Sequence, residues 1–246
     1  MRTTINSDMG ESVGIHSFGH DEELLGYIDT INVACGMHAG DPGAMRRVVE
    51  RAVAAGVSVG AHPGLPDITG FGRREMAVDA DEVRDLVLYQ VGALVGFLDA
   101  AGAALHHIKA HGALYGMMSR DPALMGALCD VALQYGVPVF GLAGTPHEEV
   151  ARARGVAFVS EYYVDLDYND DRTIRVQRTG ATRPLDSVAE RTRAALHDGV
   201  TRTVSGGVIP VRAESFCIHS DLPNAVEVAR VVRDLVGERV GAAQAG

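Results

Sequence analysis

Four hydrophobic runs of strand length each end on a histidine in a glycine- or aspartate-rich turn: Thr30–His38, Val57–His62, Leu105–His111 and Ser215–His219. Two others end on carboxylates, Thr4–Glu11 through Asp8 and Glu11, and Val156–Glu161 through Glu161. Imidazoles exchange protons near neutral pH, and carboxylates act as acids, bases or ligands of hard cations. When strands run parallel, their carboxyl ends share one side of the sheet or barrel, where ligands collect. The spacing therefore predicts that groups far apart in sequence converge on one catalytic site.

The sharpest local signal is Lys109-Ala110-His111. Residues two apart at a strand end face the same side. The lysine then supplies fixed charge for an oxyanion or phosphoryl group, and the histidine moves protons. Asp8 and Glu11 read as general acid/base, substrate or metal groups, or as turn carboxylates. His38 sits between Gly36 and Gly40, where backbone can approach a ligand closely, and Asp41-Pro42 follows as a helix start. Asp41 is thus either an N-cap or part of an anion site. His62 ends its strand before the rigid Pro63-Gly64 turn, and Arg73 and Arg74 lie on a glycine-flanked loop. Guanidinium forks suit carboxylates or phosphates. Glu161, Asp165 and His219 complete the set as substrate- or phosphate-binding groups, and Asp221 has an alternative role in a turn. In a metal reading, Asp8, His38 and His62 hold Zn²⁺ or Mn²⁺. His106 and His107 read as strand-start residues near solvent, and His16, His20, His147 and His197 as surface groups.

The elements that position these groups alternate. Strands are predicted near 3–7, 28–34, 57–61, 105–109, 137–141, 156–160 and 214–219, and helices near 42–55, 81–101, 122–135, 146–153, 185–198 and 224–238. Asp41-Pro42 and Asp121-Pro122 each place a capping aspartate before a first-turn proline. Val83, Leu86, Val87, Val91, Leu94, Val95 and Leu98 recur with a period near 3.6, an apolar stripe for packing on a sheet. Strand–helix repetition predicts a parallel sheet with helices outside, closed into a single α/β barrel domain of about seven strands over 1–246. An open doubly wound sheet is the alternative. Gly206-Gly207 predicts a small hairpin near 201–212, the polar stretch 162–184 a lid or exposed hairpin, and 241–246 a frayed tail.

Composition narrows the partners. A net charge of -10 disfavours nucleic acid and anionic lipid, and no apolar run reaches the ~20 residues that span a bilayer. Three cysteines without C-x-x-C spacing read as buried small hydrophobes, fitting a reducing cytoplasm. No Walker-type phosphate loop, dinucleotide glycine motif, G-x-S-x-G elbow or H-E-x-x-H is present.

Seven ordered segments resemble the LamB/YcsF family: 6–12, 34–42, 60–64, 70–74, 89–94, Lys109-Ala-His-Gly-Ala-Leu-Tyr115 and Cys217-Ile-His-Ser-Asp-Leu-Pro223. The resemblance implies a distorted (β/α) barrel related to the glycoside hydrolase/deacetylase barrels. It also implies ATP-dependent hydrolytic opening of 5-oxoproline to glutamate, with ATP as co-substrate and two further subunits as partners. Under that reading Lys109 with Arg73 or Arg74 meets phosphate or oxyanion, and His62 or His111, steered by Asp8 or Glu11, activates water. Departures from the family pattern include Ser7, Met9, Met37, Leu65, Ala110 and Ser220, and Leu166 stands where the family carries arginine. The alternatives are a metal-dependent amidase or deacetylase without ATP and a non-catalytic binding subunit; a homo-oligomer is compatible with every one of these readings.

Overall fold

The computed structural model describes residues 2–175 and 181–239. The strands are β1 (Thr4–Met9), β2 (Thr30–Ala34), β3 (Ser58–His62), β4 (Leu105–Ile108), β5 (Val139–Gly141), β6 (Phe158–Tyr163), β7 (Asp167–Tyr168), β8 (Ile174–Arg175), β9 (Val200–Arg202), β10 (Val208–Pro210) and β11 (Ser215–His219). The helices are α1 (Asp21–Leu24), α2 (Pro42–Ala54), α3 (Ala80–Ala100), α4 (Gly112–Met118), α5 (Pro122–Tyr135), α6 (Pro146–Ala153), α7 (Leu185–Arg193, continued by a π turn to Asp198) and α8 (Ala225–Val236).

Seven strands close into a barrel in the order β1-β11-β6-β5-β4-β3-β2, and every pair is parallel. The closed barrel, not the open sheet, is the architecture. Closure follows from chain order: β1 takes both β2 and the last strand β11 as neighbours, with Asp8 opposite Asn32 on one side and His219 on the other.

Helix starts follow their capping chemistry. Asp41 accepts from the Ala44 amide at 2.9 Å and Asp121 from the Ala123 amide at 2.8 Å. Asp79 and Glu82 form a reciprocal capping box that starts α3. Along α3, Val83, Val87, Val91, Leu94 and Leu98 are fully buried, while Leu86 and Val95 sit at the edge of the stripe. The outward side chains of the strands, such as Ile5, Ile31, Val33, Val59, Ile108 and Ile218, form one hydrophobic cluster with the helices. Each fully buried aliphatic chain contributes about 1.5–3 kcal/mol to that layer.

Differences from the sequence reading are local. β6 runs past Glu161 to Tyr163, so Glu161 lies within a strand and not at its end. α4, unforeseen, begins directly after His111. The stretch after β6 makes a two-stranded hairpin, β7 with β8, and β9 pairs antiparallel with β10. The tail at 241–246 lies outside the described residues. Among those described, no helix is long and apolar enough to cross a membrane.

Candidate active site

Period-two alternation sends one face of each strand into the barrel, and here that face is polar. Lys109 is 1% exposed, and its ammonium joins three strands. Nζ lies 2.9 Å from Asp8 Oδ1 on β1, 2.9 Å from Glu161 Oε2 on β6 and 3.1 Å from Cys217 Sγ on β11. Burial alone would strip Lys109 of its proton, but Asp8, Cys217 and Glu161 outweigh it and hold the group charged, well above the usual lysine range. Burial likewise acts to raise Asp8, but His62 and Lys109 outweigh it and keep the carboxylate well below its ordinary range.

Each partner is itself fixed. Asn32 Nδ2 donates to Asp8 Oδ1 at 2.7 Å and to Asn6 Oδ1 at 2.8 Å. Asn32 Oδ1 accepts from His107 Nε2 at 2.5 Å. Tyr115 and Tyr163 donate to Glu161 Oε1 at 3.0 and 2.7 Å. His107 is therefore fully buried beneath the site and not near solvent, and burial pushes its imidazole well below the usual range. It fits because Gly60 leaves space: a Cβ there would stand 2.2 Å from the ring.

A second group of imidazoles lies beside Asp8. His62 Nδ1 donates to the Lys109 carbonyl at 2.8 Å, leaving Nε2 3.3 Å from Asp8 Oδ2. His111 Nε2 donates to the Phe71 carbonyl at 2.8 Å, leaving Nδ1 3.0 Å from His62 Nε2. His38 stacks on His111 with centroids 3.7 Å apart, and Glu11 Oε1 lies 3.8 Å from both rings. Burial, followed by neighbouring His62, pushes His38 well below the usual imidazole range; burial, then His38 and His62, does the same to His111. Burial and the Asp8 charge raise Glu11 well above the usual carboxyl range. The His62 turn is clamped from α3: Gln90 accepts from the Gly64 amide and donates to its carbonyl, both at 2.9 Å.

The third group sits at the mouth. Asp165 Oδ2 accepts from His219 Nδ1 at 3.0 Å and from the His219 amide at 2.8 Å. Burial would lower His219, but Asp165 overrides it and raises the imidazole to about 9. His219 Nε2 faces Asp8 Oδ2 at 3.5 Å. Arg73 pairs with Asp221 at 3.2 Å and lies over the Phe71 ring.

These groups line a narrow cleft of about 40 Å³ at the carboxyl ends of the strands. Asp8, His62, Arg73, Lys109, His111, Asp165 and His219 reach it, with Tyr115, Tyr163 and Leu166 as walls. Glu11, His38 and Glu161 stand directly behind the lining.

Two sequence candidates are not brought in. Asp41 spends its carboxylate on the Ala44 and Gly14 amides, capping α2. Arg74 points to solvent and pairs with Asp67 and Thr69. His147, expected at the surface, is buried with both nitrogens satisfied by backbone: it accepts from the Leu142 amide and donates to the Tyr115 carbonyl. Its imidazole is lowered to about 4 by burial, as befits a structural group. Asn6, Asn32, His107, Tyr115 and Tyr163 were missed. The signal for the first four lay in register, since Asn6 and His107 stand two residues before Asp8 and Lys109 on the same faces, Asn32 opposes Asp8, and Tyr115 lies one turn beyond His111.

A profile of the LamB/YcsF family matches residues 3–245. The chain is 43% identical to the A subunit of 5-oxoprolinase from Bordetella pertussis over 97% of its own length and 96% of the relative's. It is 42% identical to the lactam utilization protein lamB of Emericella nidulans, covering 96% and 95%. The crystal structure of the lactam utilization protein from Thermus thermophilus superposes with a TM-score of 0.88 at 40% identity, covering 98% of this chain and 100% of that one. With a whole-length profile match, such identities and a shared closed barrel, the chain belongs to the LamB/YcsF family.

Proposed function

We propose that this chain is the lactam-binding subunit of an ATP-dependent 5-oxoprolinase, opening 5-oxoproline or a related lactam to the amino acid. The observation that carries the reading is a buried ammonium, Lys109, held between Asp8 and Glu161 at the floor of a cleft beside a tautomer-fixed His62. Relatives over nearly the full length are named as a 5-oxoprolinase subunit and as a lactam utilization protein.

A five-membered lactam is a stable amide. Phosphoryl transfer from ATP to its carbonyl oxygen activates the carbonyl carbon: water adds there, the C–N bond breaks as the ring nitrogen takes a proton, and the acyl phosphate that remains is hydrolysed to the carboxylate and phosphate. The transfer itself needs positioning and positive charge more than covalent chemistry. Lys109 on the floor and His219 at the mouth, kept protonated by Asp165, supply that charge, with Arg73 beside them. His62 accepts a proton from the attacking water at Nε2, and Asp8 Oδ2 at 3.3 Å stabilises the imidazolium that forms. The substrate carboxylate meets the same cationic rim. Leu166, in place of the family's arginine, gives the cleft an apolar wall that favours the methylenes of the ring. That the relatives are named as one subunit among several supports action with other subunits, here two, in the cytoplasm, where three buried free cysteines stay reduced.

The test is reconstitution with the two partner subunits and measurement of glutamate released from 5-oxoproline with and without ATP. Release depends on ATP, and Asp8→Asn or His62→Gln lowers it about 10²–10⁴-fold with folding intact. Full release from either folded variant, or none from the intact assembly, refutes the reading.

A further inference from the structure

Two imidazoles beside Asp8 turn toward one another the nitrogens that are not tied to backbone. His62 Nδ1 is committed as a donor to the Lys109 carbonyl and His111 Nε2 as a donor to the Phe71 carbonyl, each at 2.8 Å. In their neutral forms the two rings aim lone pairs at each other, His62 Nε2 to His111 Nδ1, across 3.0 Å. Around that gap stand Asp8 Oδ2, 3.3 Å from His62 Nε2, and Glu11 Oε1, 3.8 Å from His111 Nδ1 and from His38 Nε2. His38 is 1% exposed, and among the described residues neither of its nitrogens has a hydrogen-bond partner.

We infer that Glu11, His38, His62 and His111 form a binding site for one first-row divalent cation of the zinc class. Their ligand atoms lie within 4.8 Å of one another. Metal–donor bonds of ~2.1 Å put tetrahedral donors about 3.4 Å apart, and the His62–His111 and His111–Glu11 separations of 3.0 and 3.8 Å bracket that value. Three imidazoles and a carboxylate are donors suited to zinc or its neighbours. The carbonyls behind His62 and His111 are the outer partners that orient ligating histidines. His38 leaves its stack on His111 to ligate, and with both nitrogens unanchored that turn breaks no hydrogen bond. Asp8 stands between the ion and Lys109, Oδ1 on the ammonium and Oδ2 toward the histidines. With the ion bound, His62 Nε2 is a ligand, and Asp8 Oδ2 takes over as proton acceptor in the proposed ring opening.

The experiment is titration of the chelator-treated full chain with Co²⁺, followed by visible absorption, and then displacement by Zn²⁺. It needs neither turnover nor partner subunits, so failure here leaves the lactam reading standing. One equivalent of Co²⁺ raises visible d–d bands, and one equivalent of Zn²⁺ abolishes them. His38→Gln and Glu11→Gln each weaken binding by more than the roughly 10–100-fold that loss of an outer partner costs. His197→Gln, an exposed histidine on the π turn, leaves it unchanged. A wild-type chain that develops no bands and retains no Co²⁺ overturns the proposal, and the gap then holds a proton shared by His62 and His111. Bands that survive both folded variants overturn it too, by placing the ion elsewhere. If one variant fails to fold, the other and the wild type still decide.

Discussion

Titrating His219 will cost this protein stability at alkaline pH. In the unfolded chain the imidazole titrates near 6.5, whereas Asp165 holds it at about 9 in the folded one. Below about pH 6.5 both states carry the proton, and the stabilisation from the ion pair is fully present. Between the two values only the folded chain holds it, and stability falls by about 1.4 kcal/mol per pH unit. Above about 9 the contribution is gone. The full difference is about 3 kcal/mol, a large share of a typical folding free energy. Urea unfolding of wild type and His219→Asn at about pH 6, 7.5 and 9.5 reads it directly, since other titrations are common to both proteins. The wild type leads by about 3 kcal/mol at the acid end and loses that lead by the alkaline end. A gap constant to within about 1 kcal/mol across the range refutes the assignment of His219 as a held imidazolium.

Two further outcomes follow from the same geometry. Lys109→Met leaves the Asp8 and Glu161 carboxylates buried without their shared ammonium, and thermal or urea unfolding shows a loss of about 3–5 kcal/mol; an unchanged midpoint means the two acids are not both charged. Asp41→Ala costs about 1 kcal/mol of helix capping, Arg74→Ala leaves the melting temperature unmoved, and both keep lactam turnover within a few-fold. A tenfold loss of turnover in either would return that residue to the substrate's path.

Much of this was legible because barrel strands end in the site they serve. Asp8, His62 and His219 terminate hydrophobic runs, and alternation alone placed Lys109 and His111 on one face. Burial was harder to read. His107 and His147 look like any polar residue until partners 75 and 32 positions away supply Asn32 Oδ1 and the Tyr115 carbonyl. Nor does composition separate Arg73 from Arg74. In a loop where Phe71 and Gly72 take φ of 55° and 61°, neighbours of identical chemistry point to opposite sides, one into the cleft and one to Asp67. Glu161 was placed correctly in type but not in position, since the apolar run that marks β6 gives way to Tyr162 and Tyr163, whose rings continue the strand.

The polar face inside the barrel has a mechanical consequence. Cohesion comes from the oily annulus between strands and helices, while the axis is an electrostatic spindle threaded through Asp8, Lys109 and Glu161. Acid strikes the spindle itself, because a protonated Asp8 releases Lys109 and His62 together. One proton on Asp8 thus undoes in a single step both the contact that ties β1 to Lys109 and the one that ties it to His62.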